Sequence, residues 1–173
     1  MRNEEPPGGP QTRIPMRVDG PQQDVTFKII GAAMTVHNAL GPGLKEIAYH
    51  KAMSLELGKV GLGFQEEKSV EIYVDGSPVG LLYLDHLVEA TVVVEEKAFS
   101  HLLTEEEVAQ VITYLAAMGY SVGLLLNFGR ARLEYRRILP PRNRSEWQKR
   151  IRRYVWTPGE TMIRLFASYP LTI

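Results

Sequence analysis

Asp85-His86-Leu87-Val88-Glu89-Ala90-Thr91-Val92-Val93-Val94-Glu95-Glu96-Lys97 is an apolar, β-branched run that closes on two acids and a base. β-Branched residues suit a pleated strand, whose side chains return to the same face every second residue. Glu95 and Lys97 therefore share one face, and Glu96 points to the other. Glu89 and Ala90 supply a short turn, so the run folds into a hairpin that brings Asp85 toward Glu95 and Lys97.

Two carboxylates and an ammonium then converge on one spot. A hard divalent cation such as Mg²⁺ takes oxygen ligands, with one or two carboxylates from the protein. A lysine beside it can orient a water or stabilise charge on a phosphate. The grouping suits phosphodiester hydrolysis. Its ordinary alternative is an exposed ion pair worth under ~1 kcal/mol.

Outward from the hairpin, Phe64–Val74 alternates Val70, Ile72 and Val74 with Glu71 and Tyr73, and Asp75-Gly76 is a turn signal. Strands over Val79–Leu87 and Thr91–Phe99 complete three antiparallel strands. Upstream, helical spacing over Phe27–Leu40 stops at Gly41-Pro42-Gly43, and a second helix runs from Leu44 or Lys45 to about Lys59. Downstream, Thr104 with Glu107 forms a capping box for a helix that Gly119 closes. Within it, Gln110 and Tyr114 are four apart and share a face. Ser121–Phe128 reads as a strand buried on both faces. The order is α, β, β, β, α, β, an α/β fold with a mixed central sheet flanked by helices. Leu133–Leu139 reads as an edge strand, Pro140-Pro141 breaks it, and Ser145–Tyr154 reads as a basic helix. The apolar segment 161–173 has no assigned place.

With 173 residues and 45% hydrophobic content, the chain suits one domain. Residues 1–24 read as a Pro/Gly-rich tail without fixed structure, 25–139 as the folded domain and 140–173 as a basic extension. The absence of cysteine excludes disulfides, thiolate metal sites and a cysteine nucleophile. The opening residues lack the apolar core of a signal peptide, and no apolar run approaches the ~20 residues of a membrane helix. The expectation is a soluble, cytoplasmic protein that does not engage a membrane.

Formal net charge is zero, yet the charges are segregated. Residues 44–107 hold 13 acids and 5 bases, whereas residues 130–153 hold 10 bases and 2 acids. The first half suits a metal and the second suits phosphates, whose neutralisation supplies most non-specific nucleic-acid affinity. Arg130, Arg132, Arg136 and Arg137, with the basic stretch to Arg153, are the candidate substrate contacts. No Gly-x-Ser-x-Gly elbow, P-loop or His-x-x-x-His spacing is present. His37 and His50 read as structural or exposed, while His86 and His101 lie where they can approach the site.

Gly43-Leu44-Lys45-Glu46-Ile47-Ala48-Tyr49 matches the motif naming the GxxExxY family. Ile30-Gly31-Ala32-Ala33 and Val36–Gly43 precede it in that family's manner. Gln110-Val111-Ile112-Thr113-Tyr114-Leu115 and Gly123-Leu124-Leu125-Leu126-Asn127-Phe128-Gly129 follow as its closing motifs. Over residues 25–139 the chain thus resembles this branch of the PD-(D/E)XK nuclease superfamily. The resemblance implies an αβββαβ core and a nuclease using Mg²⁺ or Mn²⁺, with nucleic acid as partner and DNA favoured over RNA. It implies Asp85 and Glu95 as metal ligands, the Glu96 carbonyl as a further one, and Glu46 acting from the second helix through water. Lys97 would orient the attacking water, Gln110 would position Lys97 or the phosphate, and Tyr114 would support the helix beside the substrate. A homodimer would let two sites address two strands.

Two residues depart from the family pattern, Glu96 and His86, at positions that are usually apolar. A buried, unpaired carboxylate is costly. The strand is therefore exposed at Glu96, or Glu96 has a partner, or a bulge makes Glu96 the ligand instead of Glu95. The same departures support a rival reading, a non-catalytic nucleic-acid or protein-binding module on this fold, while the unplaced apolar segment after Pro158 is the hint of a third, a structural subunit of a larger assembly.

Overall fold

In the computed structural model, residue 20, residues 22–139 and residues 155–156 are described. The expected N-terminal tail, basic helix over 145–154 and apolar segment 161–173 lie outside them, apart from the few residues just named. Three helices and six strands follow in the order α1 (Gln23–Leu40), α2 (Glu46–Lys59), β1 (Phe64–Val74), β2 (Ser77–Val88), β3 (Val92–Lys97), α3 (Glu105–Met118), β4 (Val122–Asn127), β5 (Glu134–Ile138) and β6 (Val155–Trp156).

The strands form one sheet in the order β1-β2-β3-β4-β5-β6. β1, β2 and β3 are antiparallel neighbours, β3 and β4 run parallel, and β5 and β6 return antiparallel. The parallel pair needs a crossover, and α3 supplies it. β5 is not the edge expected from its sequence, because the two-residue β6 pairs along its outer side.

Alternation on β3 and β4 divides the core in two. Val92 and Val94 of β3, with Val122, Leu124 and Leu126 of β4, pack against Ile29, Ala33 and Val36 of α1 and Tyr49, Met53 and Leu57 of α2. Val93 and Leu125 turn the other way, against Val108, Val111, Ile112 and Leu115 of α3. Each such side chain taken out of water contributes roughly 1.5–3 kcal/mol. The helices thus clamp the central strands from both faces, and the strand ends inherit that fixed alternation.

Both hairpin turns are left-handed at their centres. Asp75 and Gly76 have φ 49° and 77°, and Glu89 and Ala90 both have φ 51°, the pattern of the type I′ turns that suit strand twist. Glu89 and Ala90 adopt it without glycine. The Glu89 carboxylate accepts from the Gly63 amide at 2.6 Å, and the Glu89 amide donates to the Gly63 carbonyl at 2.8 Å. These bonds offset the local strain and anchor the turn to the start of β1.

Candidate active site

Gly43 has φ 102°, a conformation that side-chain-bearing residues rarely adopt. Three residues on, Glu46 opens α2, exposed to solvent. After one further turn comes Tyr49, fully buried and stacked on Phe128 with ring centroids 4.9 Å apart. Its hydroxyl donates to the Gly41 carbonyl at 2.7 Å and accepts from the Leu44 amide at 3.2 Å. The Gly, Glu and Tyr of this motif therefore have separate tasks: one turns the chain, one presents a carboxylate, and one fastens the loop beneath it.

At the far end of β3, Asn127 fixes the chain that leaves the strand. Its side-chain oxygen accepts from the Phe99 and Gly129 amides at 2.9 and 3.1 Å, and its amide donates to the His101 carbonyl at 3.0 Å. The Phe128 amide donates to the Lys97 carbonyl at 2.8 Å. Lys97 thus leaves a strand end held from both sides.

Between these two anchors, the β2–β3 register runs from Val88↔Val92 to His86↔Val94. Beyond it the Asp85 carboxylate takes the Glu96 amide at 2.6 Å, so a side chain continues the backbone ladder. Lys97 Nζ donates to Glu95 Oε1 at 2.6 Å. Glu95 is nearly fully buried, and its other carboxylate oxygen has no hydrogen-bond partner among the described residues.

The electrostatics follow from this crowding. Burial pushes the Asp85 carboxyl up to about 6, a shift that the Glu96 amide opposes and the neighbouring acids Glu96 and Glu46 reinforce. Burial, then the Asp85 charge, pushes Glu95 up to about 8, against the pull of Lys97. Burial would lower Lys97, but Glu95 at hydrogen-bond distance, with Glu46 and Asp85 beyond it, holds its ammonium above the ordinary range. Lys97 offsets only one of two like charges held in low dielectric, so the pair remains unfavourable when both ionise. An oxygen-ligating divalent cation fits this donor set, since it would neutralise both acids and engage the idle Glu95 oxygen.

Gln110 and Tyr114 form a relay beside the acids. The Gln110 amide donates to the Tyr114 hydroxyl at 2.8 Å, and that hydroxyl donates to the Tyr83 carbonyl at 2.9 Å. Burial and the nearby Glu95 charge raise the Tyr114 phenol. Tyr114 thereby ties α3 to β2, and Gln110 is the half-buried group at its open end.

The arginines do not form one surface. Arg132 is exposed. Arg130 lies 3.7 Å from Glu134, Arg136 lies 3.4 Å from the same carboxylate and donates to the Leu103 carbonyl at 2.5 Å, and Arg137 is buried.

Glu96 has a partner, the second of the three alternatives open from the sequence. The β3–β4 register is unbroken from Val92↔Val122 to Lys97↔Asn127, so no bulge exchanges Glu96 for Glu95. The Glu96 side chain is completely buried on the α2 side, with Oε1 2.8 Å from His86 Nδ1 and Oε2 3.4 Å from His50 Nδ1. Burial alone would raise Glu96, but the two imidazoles outweigh it and hold the carboxyl below its ordinary value. In return Glu96 raises His50, against the opposing effect of burial. Of the two expectations for His50, structural or exposed, the exposed one fails: it is buried beside Glu96. The one signal in the sequence was the pair of departures themselves, an acid and a histidine at neighbouring apolar positions.

Among solved structures, the chain is similar to the crystal structure of SSO0001, with 18% sequence identity and a TM-score of 0.46 over 69% of this chain and 62% of that one. No curated protein matches the sequence. No helix among the described residues is long and apolar enough to cross a membrane. The sequence profile of the PD-(D/E)XK nuclease superfamily matches residues 23–138, from the first residue of α1 to the last of β5. With its α/β sheet, paired acids and adjoining lysine inside that span, the chain belongs to the PD-(D/E)XK nuclease superfamily.

Proposed function

We propose that the protein is a nuclease of the GxxExxY branch that hydrolyses phosphodiester bonds in DNA, with Mg²⁺ or Mn²⁺ held by Asp85 and Glu95. The observation that carries this reading is the pairing of half-buried Asp85 with buried Glu95, with one Glu95 oxygen idle and the Lys97 ammonium 2.6 Å from the other. When bound, the divalent cation would offset the phosphate charge and acidify water for attack.

The chain's own residues orient the reaction. Lys97 holds an ammonium where it can orient the attacking water and stabilise charge developing on the phosphate. Glu46, exposed at the mouth of the site, orients water from α2, and the Glu96 carbonyl offers a further oxygen. Gln110 positions the phosphate from α3, supported by Tyr114. Of Arg130, Arg132, Arg136 and Arg137, the exposed Arg132 is the proposed source of backbone affinity, the other three being engaged by Glu134 or buried.

The test is cleavage of labelled single-stranded DNA, double-stranded DNA and RNA across a Mg²⁺ and Mn²⁺ titration. Metal-dependent cleavage of DNA that exceeds cleavage of RNA is expected. Inertness on all three, together with no Mg²⁺ or Mn²⁺ binding by calorimetry, contradicts the reading.

A further inference from the structure

We infer that the face of β3 opposite the proposed nuclease site carries a second metal site, built from His50, His86 and Glu66 and selective for an imidazole-binding ion of the Zn²⁺ class. One ligand atom from each of these residues lies within 4.8 Å of the others. They come from three elements, α2, β2 and β1.

The arrangement around them is that of a supported metal site. Metal-binding histidines ordinarily turn their second ring nitrogen to a carboxylate, which fixes tautomer and orientation. Here a single completely buried carboxylate, Glu96, faces Nδ1 of both rings. Both Nδ1 atoms and both Glu96 oxygens lack a well-directed hydrogen bond among the described residues, although they are close. In the neutral tautomer that puts the proton on Nδ1, toward Glu96, Nε2 of each ring is the donor left for a metal. The rings stack at 4.4 Å, so the two donors lie side by side.

His86 Nε2 lies 2.8 Å from the Ser54 hydroxyl and 3.9 Å from Glu66 Oε1, and Ser54 also hydrogen-bonds Glu66. Tetrahedral coordination at ~2.0–2.2 Å places donors about 3.4 Å apart, so the three must close by roughly an ångström. Glu66 is about half exposed and can swing inward by side-chain rotation. Its exposure also marks the route of entry. Two imidazoles and one carboxylate favour Zn²⁺ over Mg²⁺, which takes oxygen ligands. Ser54 borders the fourth position.

The site is separate from the carboxylate pair yet shares its strands. Asp85 precedes His86 on β2, and Glu95 precedes Glu96 on β3, so alternation sends one residue of each pair toward one centre and the next toward the other. Along α2, Glu46, His50 and Ser54 recur every fourth residue, a stripe that runs from the nuclease mouth to the second site. A bound ion would staple β1, β2 and α2 together.

The test is Zn²⁺ titration of the full chain carrying Asp85→Asn, purified free of metal, in excess Mg²⁺ and against a chromophoric chelator. Asp85→Asn disables the carboxylate site, so the readout does not depend on nuclease activity. One equivalent of Zn²⁺ is expected, with a rise in melting temperature on binding. Adding Glu66→Gln, a partly exposed and conservative change, should weaken Zn²⁺ at least tenfold with an unchanged circular dichroism spectrum, and His50→Gln should do the same. Co²⁺ in place of Zn²⁺ should give the visible absorption of a tetrahedral site. Absence of a Zn²⁺ equivalent in the Asp85→Asn protein, or an affinity unmoved by Glu66→Gln, overturns the inference.

Discussion

Glu95 occupies a place that disfavours its own charge, and this has a measurable consequence. Its folded value of about 8 and that of Asp85, about 6, both lie above those of free carboxyls. A carboxyl raised on folding contributes stability that is fully present below its unfolded value and is lost as pH rises through the folded one. His50, also raised, acts in the same direction. Glu96 and Glu107, lowered on folding, act oppositely but only below about pH 5, so without metal the melting temperature should fall from about pH 5 to about pH 8, and Mg²⁺ should restore it at the upper end. Glu95→Gln should flatten that fall and stabilise the metal-free protein above pH 8 by about 1–3 kcal/mol, the lost Lys97 pair taking back part of the gain. A metal-free melting temperature that rises over this range would contradict the assignment of Asp85 and Glu95 as acids raised on folding. Glu96→Ala should act oppositely, costing about 3–5 kcal/mol in denaturant unfolding because two buried imidazoles lose the carboxylate that faces their Nδ1 atoms. The spacing of Glu95 and Lys97 was legible in the sequence because a strand period of two fixes it. The partners of Glu96 were not, since His50 reaches it only once α2 has packed on the sheet.

The devices that hold the elements around the site are local. Thr104 caps α3 with the expected box, its hydroxyl accepting from the Glu106 amide at 3.2 Å while Glu107 accepts from the Thr104 amide at 2.6 Å, and Gly119 closes the helix at φ 74°. Such signals lie within a few residues, so the sequence displays them. The start of α1 carries no such signal: its cap, Gln22, makes no side-chain cap bond, and the helix begins at Gln23 rather than near Phe27. β6 spans two residues, too few for any periodicity. Two changes test the anchors. Tyr49→Phe removes both hydroxyl bonds to the Gly41–Leu44 loop and should cost about 1–2 kcal/mol, with a larger loss of cleavage than of fold because Glu46 stands on that loop's far side. Gly129→Ala places a methyl group 2.5 Å from the Ala98 carbonyl carbon and the Phe99 oxygen. Backbone atoms cannot yield as a flexible side chain can, so a loss of several kcal/mol is expected in thermal unfolding.

On the scale of the molecule, the sheet separates two chemistries by one residue of register, with carboxylates and lysine on one side and imidazoles on the other. The segregation of acidic and basic halves was visible in the sequence, but which arginines stay free was not, because Glu134 and burial in the core claim three of the four. If nucleic acid is held electrostatically, Arg132→Ala should lower the slope of log affinity against log salt by about 1 without affecting stability, whereas Arg137→Ala should show first as a loss of stability. Equal effects of both changes on the salt slope alone would contradict that division. The central claim is that Asp85, Glu95 and Lys97 form a metal-dependent phosphodiesterase site, and Lys97→Ala tests it most directly. Purified beside wild type, it should retain Mg²⁺ or Mn²⁺ binding by calorimetry while losing DNA cleavage by about 100-fold or more, the scale of a removed acid–base or charge-stabilising group. Cleavage that survives Lys97→Ala at the wild-type rate would contradict the account.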